Sequence, residues 1–94
     1  MSRLPPIELL EATHTFPGPY LFKIIGTPEE HLVARVVAAI REELLHVIDP
    51  AYSLRETGSG SHVAITIEVT VTCAQEVHAV YKRLLTVPGV LLML

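Results

Sequence analysis

A chain of 94 residues with 7 Lys plus Arg against 10 Asp plus Glu carries a formal charge of −3. That balance argues against nucleic-acid binding, which needs a basic face, and against adsorption to anionic membrane. Half of the residues are hydrophobic, which excludes a disordered chain and fits one small domain with a thin stability margin.

Cys73 is the single cysteine, so an internal disulfide is excluded and no second thiol supports a metal site. The opening residues, Met1 to Pro6, lack the apolar run of a secretory signal. No stretch approaches the ~18 apolar residues of a membrane span. A reducing, cytoplasmic setting is the expectation.

Residues 1–19 are expected to form an arm packed on a domain spanning residues 20–94. Four prolines, Pro5, Pro6, Pro17 and Pro19, forbid a long regular element there. Ile7, Leu9 and Leu10 fit a short helical turn with Glu8 and Glu11 outward.

Tyr20–Ile25 reads as the first strand, apolar on both faces except at Lys23, and Gly26 ends it. Thr27, Pro28 and Glu30 then give a helix start: an N-cap, a first-position proline and a capping-box acid. Leu32, Val33, Val36, Val37, Ile40 and Leu44 recur at helical spacing as one apolar stripe, with His31, Arg35 and Glu42 facing away. Asp49-Pro50 is expected to stop this helix.

Ala51–Thr57 has mixed polarity, as an edge strand does, and Gly58-Ser59-Gly60-Ser61 links it to the next strand. That strand is the strongest signal in the chain. Val63, Ile65, Ile67, Val69 and Val71 alternate with Ala64, Thr66, Glu68, Thr70 and Thr72, giving one apolar and one mostly polar face. Eight of these ten residues are β-branched and suit a pleated surface. Thr72-Cys73-Ala74-Gln75 repeats the capping-box pattern and opens a second helix, with Val77, Val80, Tyr81 and Leu84 as its stripe. Pro88-Gly89 ends it, and Val90–Leu94 is a last strand.

The order β-α-β-β-α-β predicts an α+β, ferredoxin-like sandwich. Its four-stranded antiparallel sheet should run 4-1-3-2, with two helices on one face. The other face stays open and carries Thr66, Glu68 and Thr70. An exposed Lys23–Glu68 pair across it would add only ~0.2–1 kcal/mol. Plain alternation in the last strand sends Val90, Leu92 and Leu94 one way and Leu91 and Met93 the other. Its apolar surface calls for a cover, either the arm or a second subunit.

His14, His31, His46, His62 and His78 are scattered without the i, i+4 spacing of a helical metal site, so neither metal nor cofactor is expected. Cys73, near a helix start, has no basic neighbour in sequence to activate it. The Gly26-Thr27-Pro28 turn offers backbone N–H groups to an anion, although no Gly-rich phosphate loop accompanies it. Acylphosphatases share the topology but need an arginine in the first loop, absent from residues 26–31. RNA-recognition motifs need aromatic residues on the central strands, where Thr66, Glu68 and Thr70 stand instead.

With these elements placed, the chain resembles the YbeD-like family, small bacterial proteins also described as a domain of unknown function or lipoate-regulatory protein. Leu9-Leu10-Glu11, Phe16-Pro17 and Phe22-Lys23-Ile24-Ile25-Gly26 carry the likeness. So do Val63-Ala64-Ile65-Thr66-Ile67, the Val77 to Leu84 helix core with Tyr81, and the ending Pro88-Gly89-Val90 through Leu94. The resemblance implies a ferredoxin-like fold similar to ACT-type regulatory domains, which bind effectors at strand–helix loops and pair through their sheets. It supplies no catalytic residues. The Gly58-Ser59-Gly60-Ser61 turn departs from the family's basic and aromatic pair after the hairpin glycine, and about Ala12 to Thr15 is additional.

The function expected is a non-enzymatic regulatory or protein-interaction module. Its partner would be another protein or a small-molecule effector, with a homodimer through the sheet as one form. Lys23, Gly26 and Thr27 are the candidate ligand residues. Thr66, Glu68, Thr70, Leu91 and Met93 are the candidate partner surface. A dimerising adaptor and a small acylphosphatase-like hydrolase are the alternatives.

Overall fold

The strand His62–Val71 (β3) lies inside a sheet and holds Ile65, Ile67, Val69 and Val71 buried on one side. Its neighbours follow from that. The computed structural model describes residues 4–29 and 31–94. Along these run α1 (Ile7–Thr13), β1 (Gly18–Gly26), α2 (Leu32–Glu43), β2 (Ala51–Thr57), β3, α3 (Ala74–Leu84) and β4 (Val90–Met93), with a 3-10 turn at Gly58–Gly60 between β2 and β3. The sheet order is β2-β3-β1-β4, and every pairing is antiparallel. This is the expected ferredoxin-like arrangement, with one further helix, α1, ahead of it.

The core lies between the sheet and the helices. Phe22 and Ile24 of β1, Ile65 and Ile67 of β3, Leu32, Val36 and Ile40 of α2, and Val77, Val80 and Leu84 of α3 are all fully buried. The predicted helical stripes supply these contacts, because residues three and four apart share one helix face. Tyr20, Phe22 and Tyr81 stack on one another inside, with Tyr20 and Tyr81 rings meeting Phe22 at 4.8 and 5.1 Å. The Tyr20 and Tyr81 hydroxyls share a hydrogen bond of 3.1 Å, so neither buried oxygen is left unsatisfied. Burial, and then the Tyr20 hydroxyl, push the Tyr81 phenol well above its ordinary range.

The segment before β1 packs on the helical layer. α1 lies against α3, Leu10 is in the core, and Leu4, Ile7 and Phe16 pack partly buried against it. His78 Nε2 of α3 donates to the Pro5 carbonyl. This segment therefore covers helix surface, while Leu91, Leu92 and Leu94 at the end of the chain stay exposed.

Several local expectations are corrected. α2 begins at Leu32 with His31 in the cap position and no side-chain cap. Thr27 does not cap it, because its hydroxyl donates to Glu29 Oε2 at 2.7 Å and its N–H to the Gly89 carbonyl at 2.9 Å. Glu30, the other half of the expected capping box, lies outside the described residues. α2 also ends earlier than Asp49-Pro50. His46 N–H reaches the Arg41 carbonyl and Leu45 N–H the Glu42 carbonyl, closing a Schellman turn. Leu45 holds the left-handed position there at φ 57°, where glycine is usual. At α3 the N-cap is Cys73, and Glu76 rather than Gln75 reaches back, its Oε1 accepting the Thr72 N–H at 2.7 Å.

In β4 the pairs Ile25–Leu92 and Gly26–Val90 enclose a register shift. This bulge breaks plain alternation. Val90 and Met93 both pack on the core, while Leu91 and Leu92 are exposed.

Leu10 shows how far the core depends on the segment ahead of β1. Replacing it with alanine should cost about 2–5 kcal/mol, read as a lowered denaturant midpoint. A loss within a few tenths of a kcal/mol would mean that α1 is only peripheral.

Candidate functional site

The sheet face away from the helices is built by alternation alone. Leu21, Lys23 and Ile25 of β1 lie opposite Glu68, Thr66 and Ala64 of β3. Those three lie opposite Ala51, Ser53 and Arg55 of β2. Leu92 of β4 extends the row of Ile25, and the Leu94 N–H bonds to the Lys23 carbonyl at 2.9 Å. Lys23 thus faces Thr66 and Glu68 faces Leu21, so the expected Lys23–Glu68 pair is diagonal, and the two charges form no salt bridge.

A depression of about 410 Å³ opens on this face. Its polar lining consists of Lys23, Arg55, Ser53 and Thr66, and its apolar lining includes Ile25, Leu54, Ala64 and Leu94. No Asp or Glu side chain lines it among the described residues. Lys23 lies level with Thr66 and Arg55 with Ala64, so two strand spacings and a two-residue offset separate them by about 12 Å, and neither has an ion-pair partner among the described residues. Arg35, Arg41 and Arg83 do: they meet Glu29, Asp49, and Glu42 with Glu43. Two cations without salt-bridge partners among the described residues therefore share the open face with Glu68.

The candidate ligand residues do not converge. Lys23 points to the open face. Gly26 lies on the opposite, helix-covered side and is buried. A Cβ there would sit 2.4 Å from Leu32 Cδ2 and 2.7 Å from the Gly89 carbonyl oxygen, so its bareness serves close packing. The Thr27 N–H is engaged by Gly89. Glu29 closes the loop: it accepts from the Thr27 hydroxyl and from Arg35 Nη2 at 3.1 Å, and the same Nη2 donates to the Pro88 carbonyl at 3.0 Å. The turn that looked open to an anion is tied to the segment leading into β4. Of the candidate partner residues, Thr66, Glu68 and Thr70 are on the open face and Leu91 is exposed, whereas Met93 packs on the core.

A family model described as "Protein of unknown function (DUF493)" matches residues 11–94. The chain belongs to this family, the YbeD-like family. Bacterial relatives named UPF0250 protein agree. One from Shewanella oneidensis is 32% identical over 83 residues, covering 88% of each chain. One from Shewanella putrefaciens is 35% identical over 75 residues, 80% of this chain and 83% of the relative. One from Shewanella piezotolerans is 34% identical over 83 residues, again 88% of each.

In this DUF493 member the histidines stay apart. His14 lies 4.9 Å from the Tyr20 ring, His62 is hydrogen-bonded to Ser61, and His78 bonds Pro5. Among the described residues no three of His, Cys, Asp or Glu gather as metal ligands would. No described helix is long and apolar enough to cross a membrane. Arg55 was not singled out in the sequence. Its signal was the single cation alternating with Tyr52 and Leu54 on a seven-residue edge strand.

The loop network has a testable pH signature. The Thr27 hydroxyl first, and Arg35 second, hold the Glu29 carboxyl below its ordinary 4.5. A depressed carboxyl stabilises the fold above its ordinary value, and the gain disappears as pH falls through the lowered one. Glu29→Gln should therefore lower the denaturant midpoint at neutral pH, with the difference from the parent closing as pH falls below 4.5. A difference that does not change with pH would contradict the network.

Proposed function

We propose that this protein is a non-enzymatic interaction module, cytoplasmic in setting, that works through the sheet face its helices leave uncovered. The observation that carries this reading is the depression where Lys23 and Arg55, without ion-pair partners among the described residues, stand beside Ile25 and Leu94. Unpaired cations next to exposed aliphatic side chains suit a partner with matching acidic and apolar groups. A regulatory role follows if the partner's activity changes on docking. Exposed Leu92 and Leu94 carry the apolar surface beyond the depression, which favours a macromolecule over a small effector. An ACT-like effector at the β1–α2 loop is the weaker form of the reading, because Gly89 and Glu29 already occupy the groups of Thr27.

Affinity capture from native cell extract, quantified by mass spectrometry, tests this. Partners held by the parent should be lost with the open-face variant Ile25→Lys and kept with Gln75→Lys on the exposed side of α3. Equal capture by both variants would overturn the choice of surface. Calorimetric titration with amino acids and lipoate-type acids reads the effector form, and silence across the panel removes it.

A further inference from the structure

The two edges of the sheet are not equivalent. β4 is four residues long and bulged beside its pairing with β1, two features that blunt an edge against further pairing. β2 keeps an unbroken register with β3 over seven residues, from Ala51–Glu68 to Thr57–His62, and six of its seven residues are exposed. Among the described residues no strand lies beside its outer backbone N–H and C=O groups. On its helix side Tyr52 and Leu54 remain 52% and 50% exposed, because the helices cover β1 and β3 more fully than β2. On its open side stand Ser53 and Arg55.

We propose that the β2 edge takes an extended segment of a different protein as a fifth strand, and that this segment alternates apolar and acidic residues. The proposal rests on the reading that the sheet is the interaction surface, and it names the partner's chemistry. Strand addition supplies main-chain hydrogen bonds, and alternate side chains supply specificity. Residues facing Tyr52 and Leu54 would be apolar, and those facing Ser53 and Arg55 acidic. Lys23, two strands further in, adds positive potential to the same face without reaching the added strand.

A second copy fits this edge poorly. In antiparallel pairing of two β2 strands both helix layers fall on one side, so directly opposed residues share a face. Arg55 then meets Ala51, Ser53, Thr57 or another Arg55. Glu56, the one acid of β2, lies on the helix side opposite Val63. β4 offers Val-Leu-Leu-Met and no acid.

Panning a random library of short peptides against the full chain, followed by amide shift mapping, tests the proposal. Enriched peptides should alternate acidic and apolar residues and shift the amides of β2. Arg55→Glu should weaken them about tenfold or more and, when panned itself, should enrich basic peptides. Lys23→Glu should weaken them less. Enriched peptides without acids, or a dimer in sedimentation that pairs through β2, would overturn the proposal. Peptides mapping to Ile25 and Leu92 would overturn it while leaving the open face as the working surface. Binders that map to the helices, or no enrichment, would count against both.

Discussion

One-sided burial governs this molecule. Two helices of 12 and 11 residues, with Leu10 of α1 beside them, cover a four-stranded sheet on one face. Strand geometry does the rest, because side chains alternate. Phe22, Ile24, Ile65 and Ile67 enter the core, and Lys23, Ala64, Thr66 and Glu68 must therefore face the other way. The position of every open-face residue is a consequence of where the core is. The partial exposure of Tyr52 and Leu54 follows as well, since β2 lies at the margin of the helical layer.

The loops reinforce that division. Gly26 must lack a side chain so that Leu32 and the Gly89 carbonyl can approach. Arg35 and Glu29 then join the start of α2 to the Pro88 carbonyl. This closes the β1–α2 turn, whereas Lys23 and Arg55 on the sheet face have no ion-pair partner among the described residues. The functional reading moves accordingly, from a strand–helix loop to a strand edge. Membership of a family of unknown function fixes the fold's relatives and leaves the partner to chemistry.

Much of the architecture was legible in the sequence because it rests on periodicity. The alternation from Val63 to Val71 and the stripe from Val77 to Leu84 each have a single consistent solution, and the mixed polarity of Ala51–Thr57 marked an edge. What was not legible depended on contacts between distant segments. Thr27 matched an N-cap, but Gly89 is what its N–H meets. Leu45 carries no local mark of a helix stop, since glycine normally takes the left-handed position. The bulge in β4 separates Met93, which packs partly buried against the core, from exposed Leu91. The diagonal placing of Lys23 and Glu68 was a question of register, which the hydrophobic pattern settles by face and not by residue pair. Arg55 gained meaning only when β3 placed it on the same face as Lys23.

Amide hydrogen exchange on the isolated chain tests the central claim most directly. One-sided cover with an unpartnered β2 predicts the slowest exchange in β1 and β3, with alternate amides of β2, those turned outward, exchanging far faster than their neighbours. Uniform protection along Ala51–Thr57, equal to that of β3, would contradict it, since the edge would then already be paired.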